Sequence, residues 1–259
     1  LFFLPRFQPV EIVKPFVIIF IATVLCSEKN FNIYFKYLLT FISIVPVCLL
    51  LMMQPDIGQT LLIFLAWATL VFISGISLPV ILTFFSFSLL SLVYMVFFIQ
   101  KFSYIKNRIL SFFNPIDGTH NFQSDKAIDA ISSGGYFGKG IGEGTLKNRV
   151  PEAHTDYIIS VISEEFGVVA IVLLLILFLS FIYMVFKKIY LEKNEKIKLV
   201  LTGTVCLIIF QALIHIGVNI RLFPTTGMTL PFLSYGGSSI VGVSILSGII
   251  LNLTKRKID

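Results

Sequence analysis

Seven runs in this chain are too apolar and too long for a soluble fold. Crossing ~30 Å of hydrocarbon takes ~20 mostly apolar residues in helical form. The runs at 10–26, 37–53, 57–73, 78–99, 168–186, 199–218 and 240–253 approach that length. In lipid a chain must satisfy its own peptide groups, so each run is predicted to be a helix. Composition agrees: 56% of the 259 residues are hydrophobic, only 13% are charged, and mean hydropathy is +0.93. Soluble domains carry about 25% charged residues. The predicted fold class is therefore an all-α polytopic membrane protein, one transmembrane domain over 1–259 with a large loop at 100–163. Cys26, Cys48 and Cys206 lie inside apolar runs without metal-ligand spacing and read as small buried hydrophobes. The opening LFFLPRFQP has no start Met, no basic n-region and no cleavage site. On that ground the chain is expected to be a fragment of a longer protein.

Orientation follows from Lys and Arg in the short links. The link KKIYLEKNEKIK holds five Lys in twelve residues, and the tail adds Lys255, Arg256 and Lys257. With seven spans these fall on one side, together with Lys29 and Lys36. That side is expected to be cytoplasmic. The region 100–163, QPDIGQT and PTTGMTLPFLSYGGSS are then outside. A loop that stays basic against this bias suits an anionic ligand, although lysines snorkelling at a membrane boundary account for it equally well.

The passage NRVPEAHTDYIISVISEEFG, residues 148–167, is neither oily enough to span nor plain linker. Pro151 permits a helix start, with His154 or Thr155 as its cap. In a helix, Asp156, Ser160, Ser163 and Glu164 share one face, opposite Ile158, Ile159, Val161 and Ile162. A carboxylate there, at the membrane edge, would be partly desolvated, which makes a carboxylate a better base. A solvated face or a cap reads the same spacing without chemistry. Asp56 follows a Pro at a helix end, where Asp commonly caps the next helix. Glu11 and Lys14 lie three apart, and an intrahelical ion pair accounts for them. The run SSGGYFGKGIGEGT could cradle a phosphate with its N–H groups. It follows no strand and lacks the ending of a nucleotide P-loop, so a flexible loop is expected. SYGGSS, with Ser234 and Ser238, offers hydroxyls and N–H groups at a helix N-terminus, suited to an anion or to a turn and cap. His215, alone in the sixth run, is expected to be hydrogen-bonded within the bundle.

Five of these passages, FQPVEIVKP, QPDIGQT, SSGGYFGKGIGEGT, PEAHTDYIISVISEEFG and GMTLPFLSYGGSS, stand in the order of the SEDS family (shape, elongation, division and sporulation). The chain resembles that family over essentially its whole length. GEGTLKNRVPEAHTD and GMTLPFLSYGGSS are closer to its FtsW branch than to its RodA branch. Family members have about ten membrane helices, so the resemblance implies that the first three are missing here. It implies a peptidoglycan glycosyltransferase that polymerises lipid II at the outer face of the bacterial cytoplasmic membrane, at the division septum. The family's essential Asp of its HTD motif falls on Asp156, and the Asp of its QPD motif falls on Asp56. The implied chemistry is attack by an acceptor sugar hydroxyl on the donor's anomeric carbon, with Asp156 as general base. Lys139, Lys147 and Arg149 would neutralise the departing pyrophosphate. Asp56, His154, Ser234 and Ser238 complete the implied substrate-binding set. No cofactor is certain. A divalent cation (Mg or Mn) is the one candidate, with its ligands unknown. The implied partners are a class B penicillin-binding protein, which is a transpeptidase, and the membrane proteins of the divisome, with no nucleic acid. Two departures stand out: Val10 replaces the family's Ser after QP, and NFQSDKAIDA is more charged than in many relatives.

Other readings use the same residues. An elongation polymerase of the RodA type differs only in motif flavour. A flippase for lipid-linked precursors would suit broken helices and intramembrane polar residues, but it needs a polar path across the bilayer, and here the polar residues collect on one side. A scaffold for a transpeptidase is the third.

Overall fold

The computed structural model describes residues 8–27, 31–113 and 121–255. Lys29, Arg256 and Lys257, used for orientation, lie outside these residues, as does Phe7 of the first motif. The described residues form α1 (Pro9–Leu25), α2 (Ile33–Met53), α3 (Ile57–Ile73), α4 (Leu78–Phe98), α5 (Ser103–Phe113), α6 (Asn121–Gly134), α7 (Ile158–Leu191), α8 (Glu195–Asn219) and α9 (Gly237–Thr254), with no strand among them. The protein is an all-α, multi-pass membrane protein. Each predicted span falls on a helix. Helices α2, α4, α7, α8 and α9 are long and apolar enough to cross a bilayer. α1 and α3 have 17 residues each, which at 1.5 Å per residue is about 25 Å, the short end of a crossing.

The chain divides into two compact units. One comprises Leu1–Ser103, Met184–Phe210 and Gly237–Asp259. Its core is Ile18, Ile21 and Ala22 of α1 with Leu62, Ile63, Ala66 and Leu70 of α3, all buried. Lipid is as apolar as Leu, so helices in it associate through close backbone approach at small residues. Two glycines show this. A Cβ on Gly203 would lie 2.6 Å from Ile18 Cγ2, and one on Gly242 would lie 2.7 Å from the Glu11 carbonyl oxygen. Trp67 packs at a tilt against Phe41 and Phe64 and edge-on against Phe84, and its indole N–H donates to Thr40 Oγ1 at 3.1 Å. The expected pair of Lys14 with Glu11 forms, Nζ to Oε2 at 2.7 Å, but with both side chains buried. Gln59 Nε2 donates to Glu11 Oε1 at 2.7 Å, which ties α1 to α3. Removing one member of such a buried pair costs about 3–5 kcal/mol, because it strands the other charge. On α4 only Val96 is buried, so that helix turns its sides outward. The three cysteines are free; Cys206 is buried as expected, whereas Cys26 and Cys48 are only half-buried.

The second unit comprises Tyr104–Tyr183 and Gln211–Gly236. Its sequence reads as a loop over 100–163, yet it holds α5, α6 and a 3₁₀ turn at Leu146–Arg149. α7 begins at Ile158, ahead of the apolar run at 168–186. The reason is burial: Ser160, Ser163 and Glu164 are shielded by neighbouring chain, so this polar-looking turn is interior. Residues 220–236 form turns without a helix. An apolar cluster of Ile159, Ala212 and Leu230, with Ile171, Phe178 and Ile216 around it, packs that segment against α7 and α8.

Gly242→Ala is expected to destabilise the protein by about 1–3 kcal/mol through overpacking. Gly248→Ala, where an added Cβ meets nothing within 4 Å, is expected to be neutral or stabilising. Thermal unfolding in detergent reads both, and equal midpoints would contradict the close approach of α9 to α1.

Candidate active site

α7 breaks at Gly167, where φ is 77° and ψ is −175°. A helix break leaves peptide groups without intrahelical partners. The glycine-rich run supplies them. The N–H of Lys139 donates to Glu164 O at 2.9 Å, and that of Gly140 to Glu165 O at 3.0 Å. In return, Val168 N–H donates to Gly135 O at 3.0 Å and Val169 N–H to Tyr136 O at 3.2 Å. Only glycine permits this approach: a Cβ on Gly138 would lie 2.1 Å from Glu165 O, and one on Gly167 would lie 2.3 Å from Tyr136 O.

Two carboxylates close the same clamp. Glu164 is buried. Its Oε1 accepts from Leu146 N–H at 2.9 Å and from Lys139 Nζ at 3.3 Å, and its Oε2 accepts from Lys147 N–H at 2.6 Å. Glu165 accepts from Gly142 N–H and from Lys147 Nζ. The run is thus a stitched clamp where a flexible loop was expected. The N–H groups of Gly138, Lys139, Gly140, Gly142 and Glu143, which looked ready to cradle a phosphate, already have protein acceptors. Lys139 and Lys147 are paired with glutamates. Arg149 is exposed and has no partner among the described residues.

Asp156 lies in a turn over 151–157, ahead of α7, and the helix expected from Pro151 does not form. The N–H groups of Thr155 and Asp156 both donate to Glu152 O, at 3.1 and 3.0 Å. Asp156 therefore does not share a helix face with Ser160, Ser163 and Glu164. Those three are buried, while Asp156 is half-buried. Its carbonyl accepts from Asn219 Nδ2 at 3.0 Å, and the same amide donates to His215 O at 2.9 Å. Segment 225–235 wraps around this turn. Ser234 Oγ donates to Thr155 O at 2.6 Å and accepts from Leu230 N–H at 2.7 Å. Tyr235 N–H donates to His154 O at 2.9 Å, while the His154 side chain is exposed. Gly227, at φ +67°, passes beside the carboxylate: a Cβ there would lie 3.5 Å from Asp156 Oδ2. Arg108 Nη1 donates to Thr225 O at 3.3 Å.

α8 anchors the wrap from behind. Gln211 Nε2 donates to Thr229 O at 3.0 Å. His215 Nδ1 meets Met228 O at 2.6 Å, and because a carbonyl only accepts, Nδ1 carries the proton. The lone histidine is bonded within the fold, as expected. Burial pushes the Tyr157 phenol up to about 12, with the Asp156 charge adding to the rise, so it stays neutral. Gln211, Asn219 and Arg108 are supports the sequence reading missed. Their signal was present: Gln211, His215 and Asn219 recur every fourth residue along an otherwise apolar helix.

The fold thus brings Asp156, His154 and Ser234 together. Asp56 and Ser238 belong to the other unit. Asp56 caps α3, Oδ1 accepting from Gln59 N–H at 3.1 Å, and its Oδ2 accepts from Gln8 Nε2 at 2.7 Å. Burial holds its carboxyl above the usual range. Ser238 is half-buried in the first turn of α9. Among the described residues no three of His, Cys, Asp and Glu converge to hold a metal ion.

The sequence matches a family model described as "Cell cycle protein", covering FtsW, RodA and SpoVE, over residues 2–258. The chain belongs to this family. It is 34% identical over 257 residues to the probable peptidoglycan glycosyltransferase FtsW of Caulobacter vibrioides, covering 96% of this chain and 63% of that protein. It is 35% identical over 255 residues to the protein of the same name from Nitrosomonas europaea, covering 95% of this chain and 65% of that protein. The chain therefore spans just under two thirds of the length of these relatives. Among solved structures it is similar to a chain of a peptidoglycan synthase complex studied for its structural coordination of polymerization and crosslinking. There the TM-score is 0.76 at 27% identity, over 99% of this chain and 73% of that one. It is also similar to the rod shape determining protein RodA of Thermus thermophilus, with a TM-score of 0.63 at 25% identity, over 97% of this chain and 67% of that one.

Two substitutions test the local supports by thermal unfolding in detergent. Ser234→Ala leaves the Leu230 N–H buried without its partner and is expected to cost about 1–3 kcal/mol. Asp56→Ala loses a helix cap, about 1 kcal/mol, whereas Asp56→Asn keeps it. The folded pKa of Asp56 is raised, so this carboxyl contributes stability that is present below its unfolded value and lost as pH rises through the folded one. As pH rises above the ordinary carboxylate range, Asp56→Asn is expected to flatten that part of the profile. An unchanged slope would remove Asp56 as its source.

Proposed function

We propose that this chain carries the active site of a peptidoglycan glycosyltransferase that polymerises lipid II, with Asp156 as general base. The acceptor's 4-hydroxyl oxygen bonds to the donor's anomeric carbon. The bond from that carbon to the pyrophosphate breaks, and undecaprenyl pyrophosphate leaves. The hydroxyl proton passes to the Asp156 carboxylate. An α-linked donor yielding a β-linkage needs inversion, hence a single displacement. An alcohol is a weak nucleophile until its proton is accepted, so a positioned carboxylate is the group the reaction requires.

The observation that carries this reading is how Asp156 is held. Its N–H and carbonyl are bonded on opposite sides, to Glu152 and Asn219, and beside its carboxylate lies a glycine. The backbone is fixed and bulk beside the carboxylate is kept small, which is what proton transfer at a fixed distance needs. The names of the two FtsW relatives support the reaction class. Arg149 is the exposed cation best suited to the leaving pyrophosphate, and Lys139 and Lys147 would reach it only by leaving their glutamates. A divalent cation would ride on the substrate's phosphates, since magnesium often binds through substrate phosphates and few carboxylates, and no step above runs through it. Similarity to a chain of a peptidoglycan synthase complex supports a class B penicillin-binding protein as partner. We further propose, from the motif resemblance to the FtsW branch, action in septal wall synthesis with divisome proteins, at the outer face of the cytoplasmic membrane.

Asp156→Asn is expected to reduce polymer formation from lipid II by about 10²-fold or more while the protein still inserts and melts as before. Gel analysis of glycan strands from purified protein in detergent measures the loss, and full activity in this variant would falsify the assignment. Lipid II binding, measured separately, is expected to survive. Polymer made in detergent, with no bilayer to cross, excludes transport as the sole activity.

A further inference from the structure

The clamp on α7 turns large apolar side chains outward. Tyr136, Phe137 and Ile141 are 77%, 84% and 79% exposed. They stand on fixed backbone, since their neighbours Gly135, Lys139, Gly140 and Gly142 are bonded to α7. Exposed apolar side chains gathered at one place mark a surface that something covers.

The attachment points indicate what covers it. The Gly135 and Tyr136 carbonyls accept from Val168 and Val169, the first residues of the apolar stretch 168–186. At 1.5 Å per residue that stretch is about 28 Å long, one hydrocarbon thickness. Its start is therefore the boundary of the bilayer core. Beyond it the outward side of α7 carries Val172, Leu173, Ile176 and Leu177, each 48–62% exposed, as a lipid-facing surface does. The loop tip adjoins the upper end of that surface. Tyrosine, with an apolar body and a polar tip, is enriched at this level of membrane proteins.

We propose that the tip of the 135–141 loop, through Tyr136, Phe137 and Ile141, inserts into the interfacial layer of the bilayer on the face that carries Asp156. The ligand is glycerophospholipid, with headgroups at the level of the Tyr136 hydroxyl and upper acyl chains at Phe137. Being clamped to α7 a few residues beyond Asp156, the inserted tip sets the height of that turn above the lipid. This goes beyond the catalytic reading and does not depend on it.

The test places a fluorophore at the tip. Phe137→Trp is made in the full chain and reconstituted in phosphatidylcholine vesicles, and the native Trp67 signal is subtracted using the unsubstituted protein. The added tryptophan is expected to emit at shorter wavelength than an aqueous one. It is expected to lose most of its intensity to lipids brominated near the head of the acyl chain, and little to iodide in the buffer. Strong iodide quenching without bromolipid quenching would place the tip in water and overturn the proposal. Protection from both quenchers would mean that a protein surface covers the tip, and would overturn it too. Phe137 packs against little of the fold, and an unchanged thermal midpoint checks that the variant folds.

Discussion

A helix that breaks at the edge of a bilayer frees peptide groups that lipid cannot hydrogen-bond. In water such a break is cheap, but beside hydrocarbon each unsatisfied group costs several kcal/mol. The break in α7 at Gly167 is therefore possible only because another backbone meets it in register. Four backbone hydrogen bonds join 135–140 to 164–169, and Glu164 and Glu165 tie the rest of the loop through Leu146, Lys147 and Gly142. Gly134, Gly138 and Gly167 follow from this requirement, because there the backbones come too close for a Cβ atom. The charge on the glutamates follows too: a buried carboxylate needs donors on both oxygens, and Glu164 has them.

That clamp fixes where α7 starts, and so where Asp156 stands. The turn before it has no regular hydrogen-bond ladder. It is held by side chains instead, with Asn219 on the Asp156 carbonyl and Ser234 on that of Thr155. Gln211 and His215 hold the segment that lies over it. These polar groups sit in a helix that is otherwise apolar and largely buried, where unpaired polar atoms are expensive. Each is bound to a carbonyl of an irregular segment, which is how turns persist at membrane depth.

The other unit solves a related problem with fewer irregularities. Its helices meet through glycines and a buried ion pair, Lys14 with Glu11, that also binds Gln59. Such a pair contributes little net stability but is costly to break, so it specifies the register of α1 against α3. Asp56, at the head of α3, works in the same frame as cap and as acceptor for Gln8.

Legibility in the sequence divides along physical lines. The spans were legible because hydrocarbon demands length and apolarity, and both are local properties. The cap at Asp56, the pairing of Glu11 with Lys14 and the bonded His215 were legible for the same reason. Asp156 was conspicuous as a carboxylate beside apolar runs, but its surroundings were read wrongly. Spacing put it on a helix face with Ser160, Ser163 and Glu164, because periodicity assumes a helix and cannot see a turn stabilised from elsewhere. The glycine-rich run looked loose for a like reason: glycine reads as flexibility until the chain it packs against is known. The amino-acid sequence by itself determined a bundle of membrane helices with a carboxylate-bearing passage between them. Tertiary structure alone decided that the glycine-rich run is a clamp, that Asn219 and Ser234 hold the Asp156 turn, and that Lys139 and Lys147 face glutamates, because each depends on hydrogen bonds between residues distant in the chain.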